Sequence, residues 1–186
     1  MLLQAFYEHQ VKEMYSEFVL QILKPLTHDD LEHYRKFSLN ILQTLLEKKP
    51  EMEDVILQII VNKLGDQSKK VQCHTIYLLL KLSQAHLEMT EVIVNEVNTF
   101  ISRATHNNSS KASPNQNSHV YYSVAYLNRI ASMVAPKDEK VRVMLLRIYF
   151  SLFKKMLNSE ELNGEGGEEG TAGVPATVKK DRSKSK

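Results

Sequence analysis

The side chains of this 186-residue chain that could do acid–base, nucleophilic or metal chemistry are seven histidines, one cysteine and 22 carboxylates. The densest cluster is His28-Asp29-Asp30 with His33. A metal ion needs its ligands on one side, and the five-residue step from His28 to His33 turns the two rings to different sides of a helix. The cluster therefore reads as helix capping by ordinary solvated side chains. Cys73 and His74 are adjacent, so they leave a helix in different directions and make no thiolate–imidazole pair. Glu51 and Glu53 fall in a helical first turn, where carboxylates complement the helix dipole. Gly65 is the only glycine among residues 1 to 157, the other five standing at 164, 166, 167, 170 and 173. Phosphate-cradling loops, dinucleotide fingerprints and nucleophile elbows all need residues that tolerate positive φ, so none can be written in that stretch. The expectation is a protein that is not an enzyme, with no catalytic residue, no metal site, no cofactor and no small-molecule substrate.

Charge is the chemistry that remains. Lysine and arginine number 24 against 22 acidic residues, and the segment from Asn158 onward is one unit negative, which leaves the body at +3. That is too weakly basic for nucleic-acid binding to follow from total charge. Placement says more. Arg35-Lys36 and Lys69-Lys70 stand near the same place in consecutive helix-pair repeats, and stacking would bring them into a short ladder able to meet RNA phosphates or an acidic partner segment. The plainer reading of these four residues, and of Arg142, Arg147, Lys154 and Lys155, is solvated charge flanking core helices. Lys179, Lys180 and Arg182 around Asp181 fit the short basic pattern of a nuclear import signal.

The elements that must position these residues are helical. Leu3, Tyr7, Val11, Met14, Phe18 and Ile22 recur at helical steps over residues 2 to 26, with no N-cap in front, so the chain is expected to begin inside a longer helix. Pro25 and Thr27-His28-Asp29-Asp30 are expected to end that helix and start the next. Leu31, Tyr34, Ser38, Ile41, Leu42, Leu45 and Leu46 give a second helix. Met52, Val55, Ile56, Ile59, Ile60 and Leu64 give a third, closed by Gly65 as a left-handed helix end. Residues 69 to 86, 89 to 103, about 118 to 133 and about 138 to 157 follow as helices. On the sixth, Val120, Val124, Leu127 and Ala131 form one strip with Tyr121 and Ala125 beside it. No apolar run reaches the roughly 18 to 20 residues of a membrane span, and one cysteine cannot make an internal bridge, so an intracellular protein without a membrane partner is expected.

Sliding the sequence by 37 positions superposes two of these pairs. Tyr34 falls on Val71, Ser38 on Thr75, Ile41 on Leu78, Leu42 on Leu79 and Leu45 on Leu82. The match continues with Met52 on Met89, Val55 on Val92, Ile56 on Ile93, Ile60 on Val97 and Leu64 on Ile101. A two-helix repeat of this length belongs to the TPR, HEAT and armadillo range, and the missing Trp-x-x-Leu-Gly signature disfavours TPR. The reading is an all-α, HEAT/armadillo-like solenoid over residues 1–157, with a flexible polar insert at 104–117 and a disordered acidic, then basic, tail over 158–186.

Several stretches in order resemble the CCAAT-binding-factor/Mak family of ribosome-assembly proteins. They are Leu2-Leu3-Gln4-Ala5-Phe6-Tyr7-Glu8 with Tyr15-Ser16-Glu17-Phe18, then Val61-Asn62-Lys63-Leu64-Gly65-Asp66, Lys69-Lys70-Val71 and Tyr77-Leu78-Leu79-Leu80. Further on come Glu96-Val97 with Phe100 and Arg103, Tyr121-Tyr122-Ser123-Val124 through Leu127-Asn128-Arg129-Ile130, and Ile148-Tyr149-Phe150-Ser151-Leu152-Phe153-Lys154. The resemblance implies a non-enzymatic helical scaffold in the nucleus and nucleolus, acting in large-subunit precursor assembly. Its implied partners are other nucleolar complex proteins, ribosome-assembly factors and pre-rRNA. In that family a longer helical region precedes this one and the name-giving domain follows a charged linker, so the chain is expected to be a piece that ends in the linker. No basic helix runs into leucine heptads, so zipper-type DNA binding is not carried over. A second reading of the same residues is a cytoplasmic HEAT/armadillo-type adaptor that binds peptides and meets no RNA.

Overall fold

The computed structural model describes residues 2–49, 51–106, 116–133 and 138–164, and among these every regular element is helical. The chain opens with α1 (Leu2–Glu17), which runs without a break into a π-helical segment, Phe18–Leu23, and a single α-turn, α2 (Lys24–Leu26). Pro25 does not end this rod as the sequence suggested; it sits inside α2, and the rod ends at Thr27, whose hydroxyl donates to the Lys24 carbonyl at 2.7 Å. Proline has no N–H for the carbonyl one α-turn back, and the wider π-turn just before it absorbs the interruption. Burial begins only toward the end of the rod. Val19 and Leu23 are fully buried, while Leu3, Tyr7, Val11, Met14, Phe18 and Ile22, the stripe read from helical spacing, are exposed.

Asp29 Oδ1 accepts the Leu31 N–H at 2.8 Å and turns the chain into α3 (Glu32–Lys48). Then come α4 (Glu53–Asn62) with a 3-10 turn, Lys63–Gly65, α5 (Lys69–Ala85), α6 (Met89–His106), α7 (Gln116–Met133) and α8 (Glu139–Gly164). Met52, expected on the apolar stripe of the third helix, is instead its N-cap at φ 56°, the one non-glycine residue with positive φ among those described. Gly65 is not in a left-handed conformation. A Cβ there would lie 3.0 Å from Phe100 Cζ and 3.2 Å from His119 Nδ1, so close approach of these two side chains, rather than φ, favours glycine. Helix bounds differ from the sequence reading at three ends. α6 continues to His106 and α7 begins at Gln116, so only 107–115 of the expected insert lie outside the described residues. α8 continues to Gly164, because Glu160, Glu161 and Leu162 are good helix formers and glycine stops the run. Pro50, Pro114 and Pro136, and residues 165–186 of the expected tail, lie outside the described residues.

Residues 1–148 form one compact unit. In it α5 packs between α3 and α7, and α4 packs on α6, so the repeated helices fall into two layers. The superposed positions share the core: Ser38 and Thr75, Leu42 and Leu79, Ile56 and Ile93, Ile60 and Val97, and Leu64 and Ile101 are all buried. Each such aliphatic side chain contributes about 1.5–3 kcal/mol of burial. Ser38 and Thr75 satisfy their hydroxyls on the Arg35 and Val71 carbonyls of their own helices, which lets small polar residues sit at the α3–α5 crossing. Tyr34 breaks the match, being exposed where Val71 is buried. The second unit starts at Tyr149, and within it Phe150, Phe153, Met156 and Leu157 of α8 are exposed.

Candidate functional site

The 3-10 turn at Lys63–Gly65 gathers three charges under the surface. Asp66 Oδ2 lies 3.7 Å from Lys63 Nζ, and Asp66 Oδ1 lies 3.5 Å from Arg35 Nη2 and accepts the Ser68 N–H at 2.9 Å. The side chains of Asp66, Lys63 and Arg35 are 5%, 8% and 14% exposed. Arg35 also donates through Nη1 to the Asp29 carbonyl at 3.0 Å, so one guanidinium fixes both the turn before α3 and the turn before α5. Burial pushes the Lys63 ammonium below its usual range, Asp66 pulls it back up, and the second cation, Arg35, lowers it again. Gln72 Nε2 closes the turn on the Asp66 carbonyl at 2.6 Å.

Along the α3–α5 boundary polar side chains pair rung by rung. Ser68 Oγ donates to Glu32 Oε1 at 2.6 Å, and Lys70 Nζ lies 3.7 Å from Glu32 Oε2. The Ser68 hydroxyl, with help from the Lys70, Lys36 and Arg35 charges, holds the Glu32 carboxyl below its ordinary range. His74 Nε2 meets Asn40 Oδ1 at 2.9 Å, Lys81 Nζ reaches Glu47 at 3.6 Å, and His86 Nε2 meets the Glu47 carbonyl at 3.1 Å. The Gln43 amide bond to Glu47 at 2.6 Å, then Lys81, lowers the Glu47 carboxyl in the same way.

The four ladder residues do not form one surface. Arg35 is spent inside the fold on Asp66 and Asp29, whereas Lys69 and Lys70 are exposed at the start of α5 and Lys36 is half-buried on α3, near Glu32 and His74. Lys179, Lys180 and Arg182 lie outside the described residues. His28 Nδ1 bonds its own helix end, at 3.0 Å from the Lys24 carbonyl, and no group of three or more potential metal ligands occurs among the described residues. No described helix is long and apolar enough to cross a membrane.

Two features escaped the sequence. Tyr126 is fully buried, its hydroxyl 3.1 Å from Ser83 Oγ, which joins α7 to α5; burial, eased by that hydroxyl, pushes its phenol up. The Val120-based strip put Tyr126 off the core face, and only the phase of Leu127 and Ile130, both buried, marks it as core. The second is two aromatic pairs, each with one exposed tyrosine, Tyr77 on α5 and Tyr121 on α7. Tyr77 stacks on His74, with centroids 6.3 Å apart, and Tyr121 meets Tyr122 edge-on at 5.2 Å.

Comparison with known proteins adds the kinship. No protein-family model matches the chain. The human protein named CCAAT/enhancer-binding protein zeta is 31% identical over 160 residues, 86% of this chain and 14% of that protein. Ribosome biogenesis protein NOC1 of Chaetomium thermophilum is 30% identical over 173 residues, 91% of this chain and 16% of that protein. Nucleolar complex protein 1 of Drosophila melanogaster is 29% identical over 157 residues, 84% of this chain and 12% of that protein. The chain thus spans about one-seventh of the length of the curated relatives it matches. Over that shared stretch, which takes in the Lys63–Asp66 turn and all three helices of the α3–α5–α7 layer, the chain belongs to the family of CCAAT/enhancer-binding protein zeta and nucleolar complex protein 1, the CCAAT-binding-factor/Mak family.

Proposed function

We propose that this chain is a non-enzymatic scaffold segment in ribosome biogenesis, at work in the nucleolus on precursors of the large subunit. The observation that carries the reading is the similarity of about 30% identity over more than four-fifths of the chain to relatives named for ribosome biogenesis and the nucleolus. The 37-residue repeat and the two helical layers support a HEAT/armadillo-like solenoid over residues 1–157. In this reading the outward side of α3, α5 and α7 meets assembly factors, other nucleolar complex proteins and pre-rRNA. Lys36, Lys69 and Lys70 supply its positive charge, and Arg35 holds the turns beneath. Residues 158–186 act as a linker, with Lys179, Lys180 and Arg182 read by the import machinery.

The test is localisation of a fluorescently tagged chain, with and without residues 179–186, together with co-purification of large-subunit precursors. Nucleolar accumulation that weakens on truncation, and precursor recovery that falls when Lys36, Lys69 and Lys70 are reversed to glutamate, are the expected results. Diffuse cytoplasmic signal in both forms, with no precursor recovered, would overturn the reading in favour of a cytoplasmic peptide-binding adaptor.

A further inference from the structure

The outward side of the α3–α5–α7 layer carries more than charge. On α5 the exposed positions run Lys70, Cys73, Tyr77 and Lys81, at steps of three and four residues that keep them on one face. Tyr77 is 61% exposed and Tyr121, on the neighbouring α7, is 67% exposed. The two rings belong to one connected strip. His74 stacks on Tyr77 and bonds Asn40 of α3, while the Cys73 thiol, next to His74 in sequence, acts electrostatically on Tyr122, the edge-on partner of Tyr121. Lys36 acts electrostatically on His74 from the α3 side, and Lys69 and Lys70 lie one helical turn before Cys73 and His74 on α5.

One exposed tyrosine is unremarkable alone; two, each held by a second ring or imidazole, with lysines at the His74 end, make a platform. Held rings lose little freedom when a flat ligand stacks on them, and the lysines at the His74 end offer charge to a phosphate chain, Lys70 sharing its own with Glu32 at 3.7 Å. Duplex nucleic acid hides its base faces, so it could use the lysines but not the rings. An acidic protein segment could likewise use the lysines, and it has no flat faces to match the tyrosines.

We infer that the strip from Lys36 across His74 and Tyr77 to Tyr121 binds unpaired RNA, with bases stacked on Tyr77 and Tyr121 and phosphates on Lys36, Lys69 and Lys70. The inference rests on reading this side of the layer as a contact surface, and it specifies the ligand as single-stranded rather than duplex RNA or an acidic protein segment.

The experiment is fluorescence anisotropy of the full chain with a labelled RNA of about 12 nucleotides, single-stranded or annealed to its complement. The single strand should bind more tightly than the duplex. Tyr77→Ala and Tyr121→Ala should each weaken it by about five-fold or more, while Tyr77→Phe and Tyr121→Phe, which keep the rings, should bind like the parent. Lys69→Glu with Lys70→Glu should lower the salt slope by about 0.7 per lysine on a single strand. Circular dichroism checks that each variant keeps its helices. Equal affinity for single strand and duplex, or alanine variants that bind like the parent, overturns the stacking assignment. So does competition by polyglutamate that is insensitive to both tyrosines, which gives the surface to a protein partner. None of these results touches the nucleolar reading, which localisation decides separately; conversely, a chain that needs both tyrosines for RNA in solution yet never reaches the nucleolus upholds the stacking and removes the scaffold role.

Discussion

Arg35 and Lys70 stand at the two sides of one helix boundary and look interchangeable as letters, yet the structure uses them in opposite ways. Arg35 is 14% exposed and shares Asp66 with Lys63, whereas Lys70 is 76% exposed and meets Glu32 only at 3.7 Å. The first belongs to the skeleton and the second to the surface. A charge withdrawn from water must be held by geometry, because desolvation costs several kcal/mol per ion, and a solvated one is free to serve a ligand.

The sharpest way to break this contrast is Asp66→Ala. It strands two buried cations and removes the acceptor of the Ser68 N–H, so a loss of about 3–5 kcal/mol in urea unfolding is expected. A loss near that of a surface substitution would mean that Lys63 and Arg35 are hydrated after all. Reversing all four ladder charges together would therefore confound folding with binding, which is why Arg35 is left intact in the functional tests.

Gly65→Ala should cost less, about 1–3 kcal/mol, since the new methyl presses on Phe100 Cζ at 3.0 Å and on His119. Combining it with Phe100→Leu, which withdraws the nearer ring, should recover part of the loss. If Gly65→Ala is silent, α6 and α7 approach the turn less closely than described. On the exposed side, Lys69→Ala and Lys70→Ala should leave the thermal midpoint where it is and weaken precursor recovery, the reverse of what substitutions at the turn do.

How much of this was legible follows the same divide. Periodicity found the helices and the repeat because burial repeats: Ile56 and Ile93, or Leu64 and Ile101, occupy equivalent core positions and carry equivalent residues. Periodicity misread the N-terminal rod because helical spacing marks an apolar stripe but not what covers it: residues 3 to 14 are exposed all round, and burial begins with Val19 and Leu23. It gave Gly65 the wrong reason, since a close approach by residues 35 and 54 positions later leaves no local mark. The basic ladder was half legible. Spacing put the four cations near one boundary, but which of them is buried depends on Asp66, an acid of the intervening turn, and that pairing is tertiary. The stacked His74–Tyr77 and edge-on Tyr121–Tyr122 pairs were missed for a related reason: at steps of three and one they read as incidental, and only the neighbouring helix makes a strip of them.

The smallest expected effect tests whether the outer strip is as solvated as Lys70 suggests. Burial, and then the Lys36 charge, lowers the pKa of His74 from its ordinary 6.5. The folded-state value lies below the unfolded one, so on acidification the unfolded chain takes up the proton first. Stability is then complete above about pH 6.5, declines as pH falls below that value, and stops declining once the folded state also protonates. His74 Nε2 can donate to Asn40 Oδ1 in either state, so the loss comes from desolvation and from Lys36 rather than from a broken hydrogen bond. The ring is only half-buried, and solvent screening keeps the effect well under about 1 kcal/mol. Urea midpoints at about pH 7.5 and about pH 5.5 keep clear of the range below 4.5 in which Glu32 and Glu47 release their own contributions. The drop between the two should shrink in His74→Gln, which retains a donor for Asn40, and shrink partly in Lys36→Ala. A drop that His74→Gln leaves unchanged would assign it to other groups and mean that water already reaches His74 freely, making the strip more open than the Asn40 and Tyr77 contacts imply.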